Sequence, residues 1–335
     1  MTHGERADGL QTFAALVEEF AEAAPQLRVT RLIDGLRRPV RVALHGRSGV
    51  GRRTVSAVLR RHGVTTASDL AGADVRLLVI AEALKPEDGM TSVTADTPTL
   101  IVLNKADLTG SADGGAMANA RRRAADIRAL SGSPTVPLVG LLAGAEALDD
   151  ELIGALHTMV TVPADLTSVD AFVEADHPVT AGVRERLLAE LDRFGVAHAV
   201  VALARGADPT DLPALFREVS NVDALLSGLH AVAAPTRYRR LRSALAELTS
   251  LAVRFDDAAL DALLSSDAVV LSAMTAAVEV VEADGATVDT RDGPSGHLQR
   301  ARHWRRYGRG PVSAVHRSCS ADIVRGSLRL LDGRA

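Results

Sequence analysis

The stretch Val40-Arg-Val-Ala-Leu-His-Gly46-Arg-Ser48-Gly49-Val-Gly51-Arg52-Arg53-Thr54 decides the fold. An apolar run of strand type leads into a turn with three glycines, and a helix-forming sequence follows. Glycine admits left-handed backbone conformations, so successive N–H groups in such a turn converge on one point. The helix behind it adds its positive N-terminal end. In outline this is a phosphate-binding loop. The form Gly-x-x-x-x-Gly-Lys-Ser/Thr requires a lysine that reaches the outer phosphates and a hydroxyl that holds Mg2+. Gly46 and Gly51 have that spacing, but Arg52 takes the lysine place and Arg53 the hydroxyl place, with Thr54 one residue late. Arginine meets phosphate with a planar fork rather than a compact ammonium, and Arg53 cannot ligate a cation. Phosphate contact is expected from Gly46, Ser48, Gly49, Gly51, Arg52, Arg53 and Thr54. The competing reading is a glycine-rich turn without a ligand.

Outward from this loop, strand and helix patterns alternate. Near-continuous apolar runs at 75–81 and 99–103 read as strands buried on both faces. The segment 135–143 reads as a fourth strand with its exit loop. Helices are expected at 54–61, 114–130 and 148–160, with a polar crossover through Lys85-Pro-Glu-Asp-Gly89. That alternation indicates a parallel α/β layer. Residues 10–36 have helical spacing divided at Pro25. After Val162-Pro163 only helix-period patterns remain, with turns at Gly206-Ala-Asp-Pro209, Ala234-Pro235 and Asp284-Gly285. A loop is expected at 287–296, and a last helical stretch at 297–331 is interrupted near Gly308-Arg-Gly-Pro311. The expected organisation is N-terminal helices over 1–37, an α/β domain over 38–162, and a helical bundle over 163–335.

Composition narrows the class. At 47% hydrophobic and 24% charged the chain can bury a large core, and with only 3% aromatic residues that core must be Ala, Val and Leu. This favours helices and parallel strands over a β-sandwich. A net charge of −4 argues against nucleic-acid binding, which needs a basic footprint. The single Cys319 has no partner for an internal disulfide, so a reducing cytoplasm is the expected compartment. No apolar run reaches the roughly 18 residues of a membrane span, and the N-terminus lacks a signal pattern. The chain reads as soluble, with peripheral contact to the inner face of a membrane left open.

Asn104-Lys105-Ala-Asp107 ends a predicted central strand and contains one of only two lysines, the other being Lys85. The pattern Asn-Lys-x-Asp suits guanine. The Asp carboxylate accepts from N1–H and the N2 amino group, Asn braces the base edge, and the lysine stem covers a ring face. Adenine lacks those donors and would leave the carboxylate desolvated and unpaired. Guanine recognition is therefore expected from Asn104, Lys105 and Asp107; a strand ending in a polar turn is the alternative. Asp69-Leu-Ala-Gly72 has the form that senses a γ-phosphate, but its closeness to the strand at Val75 favours a plain turn. Glu82 reads as a solvated carboxylate. The histidines lack a ligand spacing, so no metal site is expected. No Gly-x-Ser-x-Gly elbow stands at a strand end. His297-Leu-Gln-Arg-Ala-Arg-His-Trp304-Arg-Arg-Tyr307 reads first as a charged helix face with Trp304 in the core, and second as a contact for anionic headgroups or a partner.

The strand–loop–helix, the strand leading to Asn104-Lys-Ala-Asp107 and the Ala/Arg-rich helix behind it resemble the GTPase domain of bacterial dynamin-like proteins, more distantly Era-type GTPases. The segments 186–195, 204–209 and 238–248 are similar to the helical region of actinobacterial-type members. The resemblance implies a reduced P-loop GTPase-like α/β domain plus an all-α bundle that the N-terminal helices join. It also implies binding of GTP or GDP and association with a homologous dynamin-like GTPase or with itself. With Arg53 in the hydroxyl place and a shortened switch region, the residues point to weak or absent hydrolysis, no assigned catalytic residue and no secure Mg2+ site. A pseudo-GTPase, a slow GTPase using Arg52, and a nucleotide-free scaffold follow in that order.

Overall fold

The computed structural model describes residues 8–23, 27–67, 69–88, 97–110, 114–145 and 148–333. In chain order the elements are α1 (Gly9–Ala23), α2 (Leu27–Arg37), β1 (Arg41–His45), α3 (Arg52–Arg61), β2 (Thr65–Ala67), β3 (Val75–Ala81), β4 (Thr99–Asn104), α4 (Gly115–Ser131), β5 (Thr135–Leu138), α5 (Gly140–Ala143), α6 (Asp150–Thr161), α7 (Val169–Glu174), α8 (Ala181–Ala204), α9 (Leu212–Ser220), α10 (Val222–Phe255), α11 (Ala258–Leu264), α12 (Asp267–Ala283), α13 (Pro294–Tyr307) and α14 (Ala314–Leu331). They form two compact units, one of residues 41–229 and one of 1–40 with 230–335.

The first unit is built on a five-stranded, all-parallel sheet of order β2-β1-β3-β4-β5. Four strands were expected. The fifth, β2, is three residues without an apolar run, and it pairs Arg41 with Thr65 and Ala43 with Ala67. From β1 the chain goes to β2 on one side and then to β3 on the other. Strand order thus reverses at β1, and in open parallel sheets the crevice beyond the strand ends at such a point is where ligands bind. The glycine turn follows β1 directly.

The division between units falls elsewhere than at 162/163. Residues 163–229 read as pure helix, yet they bury Phe172, Leu187, Leu191 and Phe216 in one cluster with Val139, Leu142, Leu152 and Leu156. These helices cover the sheet unit instead of founding a separate domain. The break at Ala234-Pro235 is also corrected, because α10 runs through Pro235 without interruption. A proline inside a helix costs about 3 kcal/mol; buried Ala233, Ala234, Arg237 and Tyr238 on either side hold the helix together.

In the second unit α1 packs on α12 with Leu10, Phe13 and Val17 in a core shared with Leu241, Ala277, Trp304 and Ile323. Trp304 is 1% exposed, which places it in the core and not on a contact surface. The helical pattern of residues 260–281 is divided between α11 and α12. Among the described residues no single helix is long and apolar enough to cross a membrane. The bent pair α11 and α12 passes that test only together, at 43°, and α12 is largely buried.

Candidate nucleotide site

The glycine turn is fixed by close contacts. At Gly46, where φ is +145°, a Cβ would lie 2.2 Å from the carbonyl oxygen of Val79 on β3. At Gly51, where φ is +89°, it would lie 2.3 Å from Nδ2 of Asn104. Only glycine permits both the conformation and the approach. Val50 is buried and pins the turn, whereas Ser48, Gly49, Arg52 and Arg53 face solvent and Thr54 is half-buried. Helix α3 opens at Arg52 with Gly51 as its N-cap and no side-chain cap, so its first-turn N–H groups receive no side-chain acceptor.

Asn104 joins the two halves of the site. It is buried, its Nδ2 donates to the Val50 carbonyl at 2.9 Å, and its Oδ1 accepts from Gly140 N–H at 3.0 Å. One side chain thereby ties the glycine turn to the β5–α5 turn. Gly140 is needed for this, since a Cβ there would lie 2.6 Å from Asn104 Oδ1. Lys105 is exposed in a left-handed conformation (φ 56°) and opens the 3-10 turn that includes Asp107. Asp107 is half-buried. Desolvation pushes its carboxyl above the usual range, its own backbone N–H opposes this, and the carboxylate of Asp192 adds to the rise.

Asp192 comes from a break that the periodicity of α8 conceals. Its φ of 55° and ψ of 175° lie in a region used almost only by glycine. Its side chain accepts from Arg193 N–H at 2.6 Å, while Arg193 NH1 donates to the carbonyls of Leu166 and Thr167. At Gly195 a Cβ would lie 2.8 Å from Leu142 of α5. Phe194 and His198 share a cavity of about 330 Å³ with Gly114 and Met117, just past the Asp107 turn. The break in α8 thus stands beside the Asp107 turn and the β5–α5 turn.

Sequence reasoning missed Arg47 and Asp88. Asp88 is fully buried; it accepts from Arg47 Nε at 2.7 Å and from Lys85 N–H at 2.8 Å. The run Lys85-Pro-Glu-Asp88 looks like a solvated crossover, and the only hint of this pair was an arginine inside a glycine turn. His45, at the end of β1, is held below its usual pKa by burial and then by Arg76 and Arg52, with Asp88 opposing. Asp69 is exposed on a turn after β2, and Glu82 is exposed with φ 66°. Neither is drawn to the glycine turn by a described contact.

Among the described residues, the second unit holds one group of metal-ligand type. Ligand atoms of Asp8, His230 and Glu279 lie within 4.8 Å of one another, close enough for one ion. Arg237 fills that place. Its Nε is 3.1 Å from Asp8 Oδ2, and its NH2 is 2.9 Å from both Glu279 Oε2 and His230 Nε2. Comparison with family models, with curated proteins and with solved structures gave no match to this chain.

Proposed function

We propose that the chain is a guanine-nucleotide-binding regulatory protein, a pseudo-GTPase of the dynamin-like kind that pairs with a catalytically complete GTPase or with itself. The reading is carried by Asn104, which braces the glycine turn and the β5–α5 turn from the strand end that presents Lys105 and Asp107. The turn sits where the strand order reverses, with backbone donors and two exposed arginines, a setting that suits the phosphates of a nucleotide. The residues fit a nucleoside diphosphate and do not fit a tightly held Mg2+, because Arg53 occupies the hydroxyl place and Asp69 faces solvent. Phosphoryl transfer relies on electrostatic stabilisation from such groups, so turnover is expected to be slight. Partnering follows from the resemblance alone.

Titration calorimetry with GDP, GTP and ATP, with and without Mg2+, tests this reading. Guanine nucleotides should bind, ATP should not, and Asp107→Ala should erase the difference. Tight Mg2+-dependent GTP binding with phosphate release would overturn the pseudo-enzyme. The nucleotide-free scaffold gains one specific observation, the α8 break beside the Asp107 turn, and it would be upheld by absence of binding to all three.

A further inference from the structure

Arg47 is the second residue of the glycine turn, and its counter-charge is the fully buried carboxylate of Asp88. A carboxylate is kept out of water only where a partner compensates it. The pairing is one-sided. Arg47 uses Nε, at 2.7 Å, while its two terminal nitrogens have no partner among the described residues and its side chain remains 29% exposed. A guanidinium has five N–H donors in a fixed fork, so the outer part of this one is unspent. Asp88 itself is steered, since Lys85 N–H donates to its other oxygen. By contrast, Arg52 and Arg53 are exposed on the first turn of α3 with no ion-pair partner among the described residues. Of the cations at the turn, Arg47 is the one whose position is set before any ligand arrives, and preorganisation is what makes a charged contact effective.

We propose that Arg47, oriented by Asp88, supplies the cationic contact to a phosphate held in the glycine turn and takes over the charge that a P-loop lysine and Mg2+ would supply. Binding then needs no divalent ion. The inference rests on the nucleotide reading for the identity of its ligand, but the phosphate contact can be tested apart from the base. Asp88 is a positioning residue and does not touch the ligand.

The test titrates the full chain with GDP and, separately, with inorganic pyrophosphate, in EDTA and in Mg2+. Wild type should bind both, equally well in either buffer. Arg47→Ala should weaken both by about tenfold or more, the usual worth of a hydrogen bond to a charged group. Asp88→Asn should weaken them less, and Asp88→Glu should restore part of the loss. In the Arg47→Ala background, Asp88→Asn should change affinity no further, a coupling that a merely structural Asp88 would not show. That double variant also guards against misfolding, because it leaves no buried charge unpaired. Arg47→Ala binding as wild type does, or binding that requires Mg2+, overturns the proposal. If pyrophosphate binds through Arg47 but GDP gains nothing from its base, the guanine reading falls and the Arg47 assignment stands. If GDP binds wild type and Arg47→Ala equally, the reverse holds. Wild type binding neither ligand overturns both.

Discussion

The arginine-centred polar clusters around Arg237 and around the glycine turn differ in how much of their bonding capacity is used. Around Arg237 little is left over: Nε, 3.1 Å from Asp8 Oδ2, makes an ion pair without a hydrogen bond, and the other groups are engaged. Asp8 also accepts from Leu10 N–H, Glu279 also accepts from Gly9 N–H, and the guanidinium donates to Glu279 and to the carbonyl of His230. Around the glycine turn the opposite holds. Arg47 is bound by one nitrogen, Arg52 and Arg53 face solvent, and α3 opens without a side-chain cap. A cluster that satisfies itself fastens helices together, whereas one with unspent donors around a fixed backbone cradle is arranged for something from outside. The three ligand-type residues at Asp8, His230 and Glu279 look more like a site on paper, yet the guanidinium already provides the positive charge that an ion would bring.

The largest effect should come from breaking the closed cluster. Arg237→Leu strands two largely buried carboxylates, and removing one partner of a buried pair costs about 3–5 kcal/mol. Urea unfolding followed by circular dichroism should show that loss without a change in nucleotide affinity. A loss below about 1 kcal/mol, the range of a surface pair, would mean that the cluster is not what fastens α1 to α10 and α12. Next comes Asn104→Ala. It orphans the Val50 carbonyl and the Gly140 N–H, which at about 1–3 kcal/mol for each unsatisfied buried group destabilises the sheet unit and frees the turn. Hydrogen exchange at Gly140 should accelerate and GDP binding should vanish. Retained protection there would show that the turns hold their places without the brace.

The contrast was only half legible in the sequence. Runs such as Val75–Ala81 and Thr99–Asn104 announce themselves, because a strand buried on both faces has to be apolar throughout. The Gly46 to Gly51 spacing and Asn104-Lys-Ala-Asp107 were legible for a similar reason, since few residue types meet those backbone demands. What failed to show was set by tertiary placement. Thr65–Ala67 becomes a strand only because β1 has a free edge. Pro235 stays helical because its neighbours are buried. Residues 163–229 belong with the sheet because of where Phe172 and Phe216 point, which helical periodicity does not say. Asp88 has the surroundings of a loop carboxylate in sequence and is fully buried in space. The strain at Asp192 hides inside an unbroken helical pattern.

A smaller effect separates binding from stability at the Asp107 turn. Asp107 has its carboxyl pKa raised on folding, first by desolvation. Its contribution to stability is therefore present below the unfolded pKa and lost as pH rises through the folded one, so at pH 7 the ionised group works against the fold. Asp107→Asn should melt at or above the wild-type temperature at pH 7, with the difference closing at acid pH, while guanine preference is lost. A variant that loses both stability and binding would place Asp107 among the structural residues and bring the two clusters closer in kind.

The smallest effect tests the closed cluster from its exposed side. His230 has its pKa lowered by burial and then by Arg237, with Glu279 and Asp8 opposing. Its Nε2 lies 2.9 Å from Arg237 NH2 and accepts there only while neutral. For a group depressed in this way, stability is fully present above the unfolded value near 6.5 and declines as pH falls through the lower folded value. About half of the His230 side chain is exposed, so the decline should be shallow. Thermal melts between about pH 7.5 and 5 should show it in wild type, and His230→Gln, which keeps an acceptor without a titrating proton, should flatten it. If protonation instead moves the imidazolium onto Glu279 Oε2, now 3.9 Å away, the slope reverses. The cluster would then have a second stable arrangement, and its contrast with the glycine turn would narrow.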